Sequence, residues 1–246
     1  MKITKRVLSD DEFLELKSKM GAYEEGVNYN VKINGFGTGL IPPKPEQLAR
    51  MKTEAIMVDN MLFDSEDIPI SHDNSATKWF PPIGHQGSEG SCVAWAAGYY
   101  NKTFQEAMEH DWDLSACAWE NGWTGYPSAA YQDKIFSPDF IYHQINDGVD
   151  GGAYYSDAMD LLYGVGCCTW NKMPYSMSDH TSWPSETAWR QAPLYRSGTS
   201  HNYVNVTNDT NIGNLKQFLA NYNNAIIAID ANYYPSLTSN DLWTSD

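Results

Sequence analysis

One cysteine, Cys92, stands where a glycine-rich loop gives way to an apolar segment. The loop contains Gly84, Gly87 and Gly90, and glycine tolerates sharp bends and close backbone approach better than any other residue. Residues 93–109 repeat apolar side chains at three- and four-residue steps, which predicts a buried amphipathic helix. Unpaired amides and the positive end of the helix dipole favour a thiolate at a helix start. We therefore predict a nucleophilic Cys92 with a lowered pKa; the alternative is a small buried apolar residue.

The residues around Cys92 resemble the nucleophile segment of papain-like cysteine peptidases. They read Gln-Gly-Ser-Glu-Gly-Ser-Cys from Gln86 to Cys92, with Trp95 close behind, where the family has Gln-Gly-Ser-Cys-Gly-Ser-Cys-Trp. The resemblance implies that the Gln86 side chain and the Cys92 backbone amide form an oxyanion hole. Two donors aimed at a developing oxyanion stabilise the transition state in a dry cleft.

Two further segments continue the resemblance. Residues 136–142 read Phe-Ser-Pro-Asp-Phe-Ile-Tyr, and residues 146–152 end in a Gly-Gly pair that precedes a helical pattern. In the family such a pair is the cleft edge that hydrogen-bonds the substrate backbone like a strand. The alternative is an ordinary loop before a helix. The substrate-binding residues implied by the resemblance are Gly151, Gly152, Ala153, Tyr154 and Ala225, the last of them in a buried strand predicted over 225–229.

A thiolate peptidase also needs an imidazole beside the sulfur and a group that orients the imidazole. The family's histidine lies on the order of 130 to 150 residues after the cysteine, and this chain ends at Asp246. His85, next to Gln86, is predicted to be structural. We therefore expect the catalytic histidine and asparagine to come from a C-terminal fragment of the same precursor that stays bound. A truncated chain and a noncatalytic relative are the alternatives.

The resemblance implies an α+β, papain-like fold of two domains. The predicted parts are an N-terminal prosegment-like extension (1–70), a helical domain carrying the nucleophile (71–195) and an incomplete first part of the β-rich domain (196–246). Within the extension the patterns predict helices over 9–20 and 45–52 and a strand over 27–33, without a core of their own. Family prosegments run through the cleft and block it; the alternative is an extension that only stabilises the surface.

Composition limits the partners. The chain has 246 residues, 16 of them basic and 31 acidic, for a formal charge of −15. No basic stretch could neutralise phosphates, which argues against nucleic acid or an anionic membrane as a partner. No apolar run approaches the roughly 20 residues of a membrane span. We expect a peptide or protein substrate and a secreted or extracellular location, although the first residues do not form a signal peptide.

The remaining cysteines, Cys117, Cys167 and Cys168, are too few for a disulfide scaffold. Adjacent Cys167 and Cys168 lack the spacing of a zinc pair, so neither a metal site nor a cofactor is predicted. One of them is expected to bond Cys117, although sequence does not fix connectivity. At the two positions of a family disulfide this chain has Glu89 and Val149. The resemblance therefore implies that this crosslink is absent.

Two more segments carry structural predictions. Residues 111–135, rich in tryptophan, resemble no family segment and are predicted to be an insertion that forms a small satellite core rather than a binding site. Residues 212–222 predict a helix. The function that fits these observations is an endopeptidase acting through a Cys92 thioacyl intermediate. The alternative is a peptide- or carbohydrate-binding module on a catalytically inactive papain scaffold.

Overall fold

The computed structural model describes residues 4–8, 27–33, 35–54, 69–198, 203–204, 209–229 and 241–245. The helices are α1 (Pro45–Glu54), α2 (Cys92–Ala94, Trp95–Lys102 and Thr103–Glu109 in succession), α3 (Pro138–Ile145), α4 (Tyr155–Gly164), α5 (Glu186–Gln191) and α6 (Asp209–Ala220). The strands are β1 (Thr4–Leu8), β2 (Lys32–Ile33), β3 (Phe36–Gly37), β4 (Leu40–Ile41), β5 (Trp119–Glu120), β6 (Tyr126–Pro127), β7 (Ala153–Tyr154) and β8 (Asp241–Ser245). Short 3₁₀ turns occupy Asn74–Ala76, Gly122–Thr124, Ala129–Tyr131 and Ala192–Tyr195.

Helix α2 lies in the centre of the described core and begins at Cys92, which confirms the helix predicted from the apolar pattern. Its middle part, Trp95–Lys102, has π-helical hydrogen bonding, while the parts on either side are α-helical. Gly98 lets α3 approach closely, because a Cβ built there would lie 2.6 Å from the Ile141 side chain. The backbone of α2 can therefore contact the Ile141 side chain of α3 directly at Gly98.

Two apolar clusters flank α2. The first contains side chains from α2 to α5, among them Val93, Ala97, Phe136, Phe140, Ile141, Ala158, Leu162, Cys167, Cys168 and Ala188. The second is mainly aromatic and contains Trp95, Tyr99, Ala107, Leu114, Cys117, Ile135 and Trp170. Leu114 and Cys117 belong to the tryptophan-rich segment 111–135, which therefore packs as predicted but shares this cluster with Trp95 and Tyr99 of α2 instead of forming a satellite core of its own. Trp123 is an exception, since 53% of its surface is exposed.

Helix α3 begins at Pro138, directly after Ser137, a residue type that favours the N-cap position. The Ser137 hydroxyl caps the helix by accepting a hydrogen bond from the Phe140 amide (3.1 Å), and Pro138 occupies the first turn. The same hydroxyl donates to the Met173 carbonyl (2.6 Å), which fixes the helix against the chain that follows α4. Asp139 and His143, one turn apart, are thereby held on a buried face of α3.

The strands are short; two pairs are local and two join segments far apart in sequence. β2 and β3 form an antiparallel hairpin, and β5 pairs antiparallel with β6. β4 lies parallel to β7, with Leu40 opposite Ala153 and Ile41 opposite Tyr154. β1 lies parallel to β8. Parallel pairing joins the N-terminal part of the chain to the segment that follows α3.

The N-terminal predictions have mixed outcomes. The helix predicted over 45–52 is confirmed as α1. The strand predicted over 27–33 is confined to Lys32–Ile33, because residues 27–31 make irregular contacts rather than a ladder. The helix predicted over 9–20 lies outside the described residues.

The C-terminal predictions need one correction. Helix α6 confirms the helix predicted over 212–222, although it begins at Asp209. The predicted buried strand over 225–229 is wrong: this stretch has no strand pairing, and Ile227 is 76% exposed. A short apolar run becomes a strand only when a neighbouring strand satisfies its amides. Of this stretch, Ile226 packs partly buried against the first cluster.

The predicted disulfide is also wrong, because all four cysteines are free thiols. Cys117 belongs to the second cluster, whereas Cys167 and Cys168 belong to the first. The Cys167 thiol donates instead to the Ser137 and Cys168 carbonyls, at 3.5 and 3.3 Å. Cys117 thus packs among aromatic side chains rather than against a second sulfur. No helix among the described residues is long and apolar enough to cross a membrane.

Candidate active site

The loop before Cys92 is held in shape by its own polar groups. The Gln86 side-chain amide donates to the Glu89 carbonyl (2.6 Å) and so spans the loop. The Tyr175 hydroxyl donates to the Gln86 carbonyl (2.7 Å), and the Ser91 hydroxyl lies 2.8 Å from that of Tyr175. Cys92 is partly buried and packs against the first cluster. Gln86 and Cys92 therefore lie at the two ends of one rigid loop.

Residues 27–33 and 35–41, which we call the cleft segment, lie across this loop. The Gly37 amide donates to the Gly87 carbonyl (2.8 Å). The Gln86 side-chain amide donates to the Gly37 and Thr38 carbonyls at 3.3 and 3.5 Å. The Leu40 backbone amide hydrogen-bonds the Cys92 sulfur. Both residues predicted to act on a substrate carbonyl thus contact the backbone of this chain's own N-terminal part.

The other side of the cleft segment lies along the predicted substrate-binding edge. The Tyr29 amide donates to the Gly151 carbonyl (3.1 Å), and the Ala153 amide donates to the Gly39 carbonyl (2.7 Å). Beyond them, β4 pairs with Ala153 and Tyr154. Residues 151–154 therefore bind an extended backbone by strand-like hydrogen bonds, as β-augmentation sites do. Ala225, the fifth predicted residue, is exposed in the irregular stretch after α6.

Glycines allow the cleft segment to approach the nucleophile loop and residues 151–154 closely. Gly39 has a φ of +132°, and a Cβ there would lie 2.0 Å from the Gly90 carbonyl oxygen. A Cβ on Gly37 would lie 2.1 Å from the Glu89 carbonyl oxygen. Gly152 has a φ of +101°, and its Cβ would lie 2.4 Å from the Gly39 carbonyl oxygen. Since real Cβ atoms do not tolerate such distances, side chains at these positions would push the two backbones apart.

Asp150, which the sequence analysis did not single out, joins the cleft segment to the nucleophile loop. One carboxylate oxygen accepts from the Gly90 amide (2.7 Å) and from the Tyr142 hydroxyl (2.9 Å). The other oxygen accepts from the Asn30 side-chain amide at 2.6 Å. A signal was present, because Asp150 directly precedes the Gly-Gly pair. Two of its three partners, Gly90 and Asn30, lie too far away in sequence to be inferred.

The predicted lowering of the Cys92 pKa is wrong for this state of the molecule. Burial raises the pKa of the thiol to about 11, because the thiolate loses solvation. The amides of Leu40, Val93 and Cys92 act in the opposite direction but are outweighed. A prediction from the helix start alone does not include this burial. At neutral pH the thiol is protonated.

The histidine next to Gln86 has a structural environment, as predicted. His85 accepts a hydrogen bond from the Gly87 amide through Nδ1 (2.9 Å), and its ring packs on Trp123 with centroids 4.3 Å apart. Burial lowers the pKa of His85. Across the part of the chain that the structure describes, no imidazole forms a hydrogen bond with the Cys92 sulfur.

A group of buried ligand-type side chains lies behind the nucleophile loop and was also missed. Glu89, Asp139 and His143 are 1%, 2% and 6% exposed. One ligand atom from each lies within 4.8 Å of the others. The sequence carried little signal for this group, since the residues are separated by about fifty positions and only Asp139 and His143 share a helical face.

No protein-family model and no curated protein matches the sequence. Among solved structures, the chain is similar to xylellain, a cysteine protease from Xylella fastidiosa, with 18% identity and a TM-score of 0.52 over 81% of this chain and 66% of that one. A structure from work on the mite allergens Blo t 1 and Der p 1 has 14% identity and a TM-score of 0.42, over 85% and 56%. The chain thus spans just under two thirds of the xylellain structure.

The fold is therefore the α+β, papain-like fold of cysteine proteases, as the residues around Cys92 predicted. At this level of identity the likeness defines the fold. The chemistry must be argued from the residues of this chain.

Proposed function

We propose that this chain is the nucleophile-bearing part of a papain-like cysteine endopeptidase, held in a latent form by its own cleft segment. The main support for this proposal is the way in which the site binds the backbone of the cleft segment. Gln86 donates to carbonyl oxygens of the cleft segment, the Cys92 sulfur accepts from its Leu40 amide, and residues 151–154 pair with it like a strand. A site with these contacts suits an extended peptide substrate once the cleft segment has left.

In the proposed reaction, the Cys92 sulfur attacks the carbonyl carbon of a peptide bond. The Gln86 side-chain amide and the Cys92 backbone amide donate to the oxyanion of the tetrahedral intermediate. Collapse of the intermediate breaks the C–N bond, and a protonated imidazole gives its proton to the leaving amine. Water then attacks the thioacyl carbon and releases the acid and the thiol.

The imidazole in this scheme, and the asparagine that orients it, are proposed to come from a C-terminal fragment of the same precursor. The described residues offer Cys92 no imidazole partner, which favours such a contribution. We also propose that the enzyme is a zymogen and that it is secreted. The cleft segment supports latency, since its Leu40 amide contacts the Cys92 sulfur, whose burial raises the pKa of the thiol to about 11.

The test uses the full precursor with its downstream sequence, after proteolytic removal of the cleft segment. Cleavage of a peptide library is read by mass spectrometry for the wild type and for Cys92→Ser. We expect cleavage by the wild type and none by the variant. Gln86→Glu keeps the side-chain shape but removes the donor, and should lower kcat by about 10²- to 10³-fold.

Equal, negligible cleavage by the wild type and by Cys92→Ser would contradict the endopeptidase. Peptide binding without cleavage, measured by calorimetry with library peptides, would instead support the binding-module alternative. Iodoacetamide labelling of Cys92 after removal of the segment separates a blocked site from an unreactive one.

A further inference from the structure

Glu89, Asp139 and His143 form a group that we call the acid–imidazole cluster. Glu89 lies in the nucleophile loop, while Asp139 and His143 lie one turn apart on α3. Each residue offers one ligand atom, and these atoms all lie within 4.8 Å of one another. All three side chains are more than nine-tenths buried.

The oxygen atoms of Glu89 have no hydrogen-bond partner, although both are buried. The Ser91 and Tyr175 hydroxyls lie near enough to lower the pKa of Glu89, but each already has another hydrogen-bond partner. Tyr175 donates its hydrogen to the Gln86 carbonyl (2.7 Å), so the Ser91 hydroxyl, 2.8 Å away, donates to Tyr175. A buried carboxylate without donors costs several kcal/mol unless a proton or a cation compensates it.

The other two members of the cluster are also unpartnered on the side that faces Glu89. Asp139 Oδ2 accepts from the Ser176 amide (2.8 Å), but Oδ1 has no partner. His143 Nδ1 hydrogen-bonds the Ser182 carbonyl (2.7 Å), and Nε2 has no partner. The Asp139 Oδ1 to His143 Nε2 distance is 3.6 Å, too long for a hydrogen bond.

The hydrogen bonds on the outer side of the cluster suit metal ligands. Nδ1 can donate to the Ser182 carbonyl only if it carries a hydrogen, which leaves the Nε2 lone pair of a neutral His143 free to bind. Metal-bound histidines almost always donate their other ring nitrogen in this way. Asp139 is oriented in the same manner by the Ser176 amide.

The charges around the cluster are negative. Asp150 and Asp179 raise the pKa of Glu89, and Glu89 and Asp179 raise that of Asp139. Burial is the main cause of both raised pKa values. Together with these charges it outweighs the nearby hydrogen-bond donors, which lower the pKa, and gives values of about 7 for Glu89 and about 9 for Asp139. Neither lysine nor arginine is among the described groups that shift these two carboxyls.

We propose that the acid–imidazole cluster binds a divalent transition-metal cation of the zinc type, through one oxygen each of Glu89 and Asp139 and through His143 Nε2. A dication neutralises two carboxylates and satisfies the free atoms at once. Imidazole together with carboxylate favours zinc over calcium or magnesium, which prefer oxygen alone. This site was not predicted from the sequence, where only the cysteine pair was considered as a ligand.

The bound ion would tie the nucleophile loop to α3. Glu89 is in the loop that carries Gln86 and leads to Cys92, whereas Asp139 and His143 are fixed to a buried helix. The ion is therefore structural and does not take part in peptide hydrolysis. The site can be present whether or not the chain is a peptidase, and its test does not use activity.

The test uses the full chain, freed of metal by a chelator and then dialysed against ZnCl2. Elemental analysis should find zinc equimolar with protein, and calorimetry should give a saturable heat. Thermal unfolding should shift to higher temperature with zinc and back with chelator. Cobalt in place of zinc should give visible d–d absorption typical of nitrogen and oxygen ligands.

The variants Glu89→Gln and Asp139→Asn keep the shape of the site and remove one charge each. We expect each to weaken zinc binding by about 100-fold or more and to abolish the zinc-dependent shift. Without metal they should be at least as stable as the wild type, because each replaces a buried carboxyl that lacks a cationic partner with an uncharged amide of the same shape. His143→Gln tests the nitrogen ligand. Asp157→Asn, which changes a half-buried carboxyl outside the cluster, is the matched control and should bind like the wild type.

Two results would overturn the proposal. One is a wild-type chain that takes up no zinc and unfolds at the same temperature with zinc and with chelator, which would mean that protons alone neutralise the cluster. The other is zinc uptake that persists in Glu89→Gln and Asp139→Asn, which would assign the ion to surface histidines.

Discussion

The Cys92 thiol illustrates how one residue's chemistry depends on what covers it. A helix start favours thiolate, but the loss of solvation on burial is the larger effect and raises the pKa of Cys92 to about 11. The pKa of Cys92 is therefore shifted upward, opposite to the downward shift expected from the helix start alone. The same residue can be inert in the covered state and nucleophilic after uncovering.

We predict that alkylation of Cys92 by iodoacetamide in the intact chain is slow near neutral pH and rises about tenfold per pH unit toward pH ~10. The reason is that only the thiolate reacts, and its fraction grows tenfold per unit below the pKa of about 11. Rates are read by mass spectrometry of the Cys92 peptide. A rate that is already maximal near neutral pH would contradict the raised pKa.

At the scale of elements, the cleft segment is held by backbone contacts that need glycine. We predict that Gly39→Ala displaces the segment and accelerates Cys92 alkylation at neutral pH by about tenfold or more. The new Cβ would lie 2.0 Å from the Gly90 carbonyl at a φ of +132°, and strain of this kind costs roughly 1–3 kcal/mol.

Gly164→Ala is the control for this substitution. Gly164 ends α4, and a Cβ there would meet nothing within 4 Å. The control should alkylate at the wild-type rate. Equal rates for Gly39→Ala and the wild type would mean that the segment does not restrict access to Cys92.

The elements that the sequence predicted well are those encoded locally. Helix α2 follows from its apolar period and α3 from Ser137 and Pro138, and the Gly-Gly edge follows from a motif. The pairing of β4 with β7 could not be predicted, because its register joins Leu40 to Ala153 across more than a hundred residues.

Two further misses have related causes. The apolar run at 225–229 predicts a strand where the chain is irregular, because a short apolar run does not reveal whether a neighbouring strand will pair with it. The acid–imidazole cluster was missed because Glu89 reaches α3 only in the folded chain.

At the scale of the whole molecule, a buried ion pair lies within α2, between the two apolar clusters. Lys102 Nζ and Glu106 Oε1 are in contact, and the residues are 4% and 5% exposed. His110 Nε2 lies 3.3 Å from the other Glu106 oxygen. Such a pair contributes little net stability, but either partner alone is costly.

We predict that Lys102→Met lowers the free energy of unfolding by about 3–5 kcal/mol, because Glu106 is left buried without its ammonium partner. The double variant Lys102→Met with Glu106→Leu should recover most of this loss. Urea unfolding followed by circular dichroism measures both. The exposed pair of Glu186 and Arg190, each 76% exposed, is the control. Arg190→Ala should cost no more than about 1 kcal/mol, and a similar cost for Lys102→Met would show that the buried pair is unimportant.

The exposed ring of Trp123 has a consequence for optical experiments. Trp123 lies outside both cores, and one face packs on Phe36 of the cleft segment with ring centroids 4.9 Å apart. Departure of the segment would place that face in water and shift the indole emission to longer wavelength. Trp123→Phe should abolish the shift, whereas Trp183→Phe, at a site 66% exposed and packed on Trp189, should leave it intact. The molecule thus carries an intrinsic fluorophore that reports in real time, without a label, whether its cleft is covered.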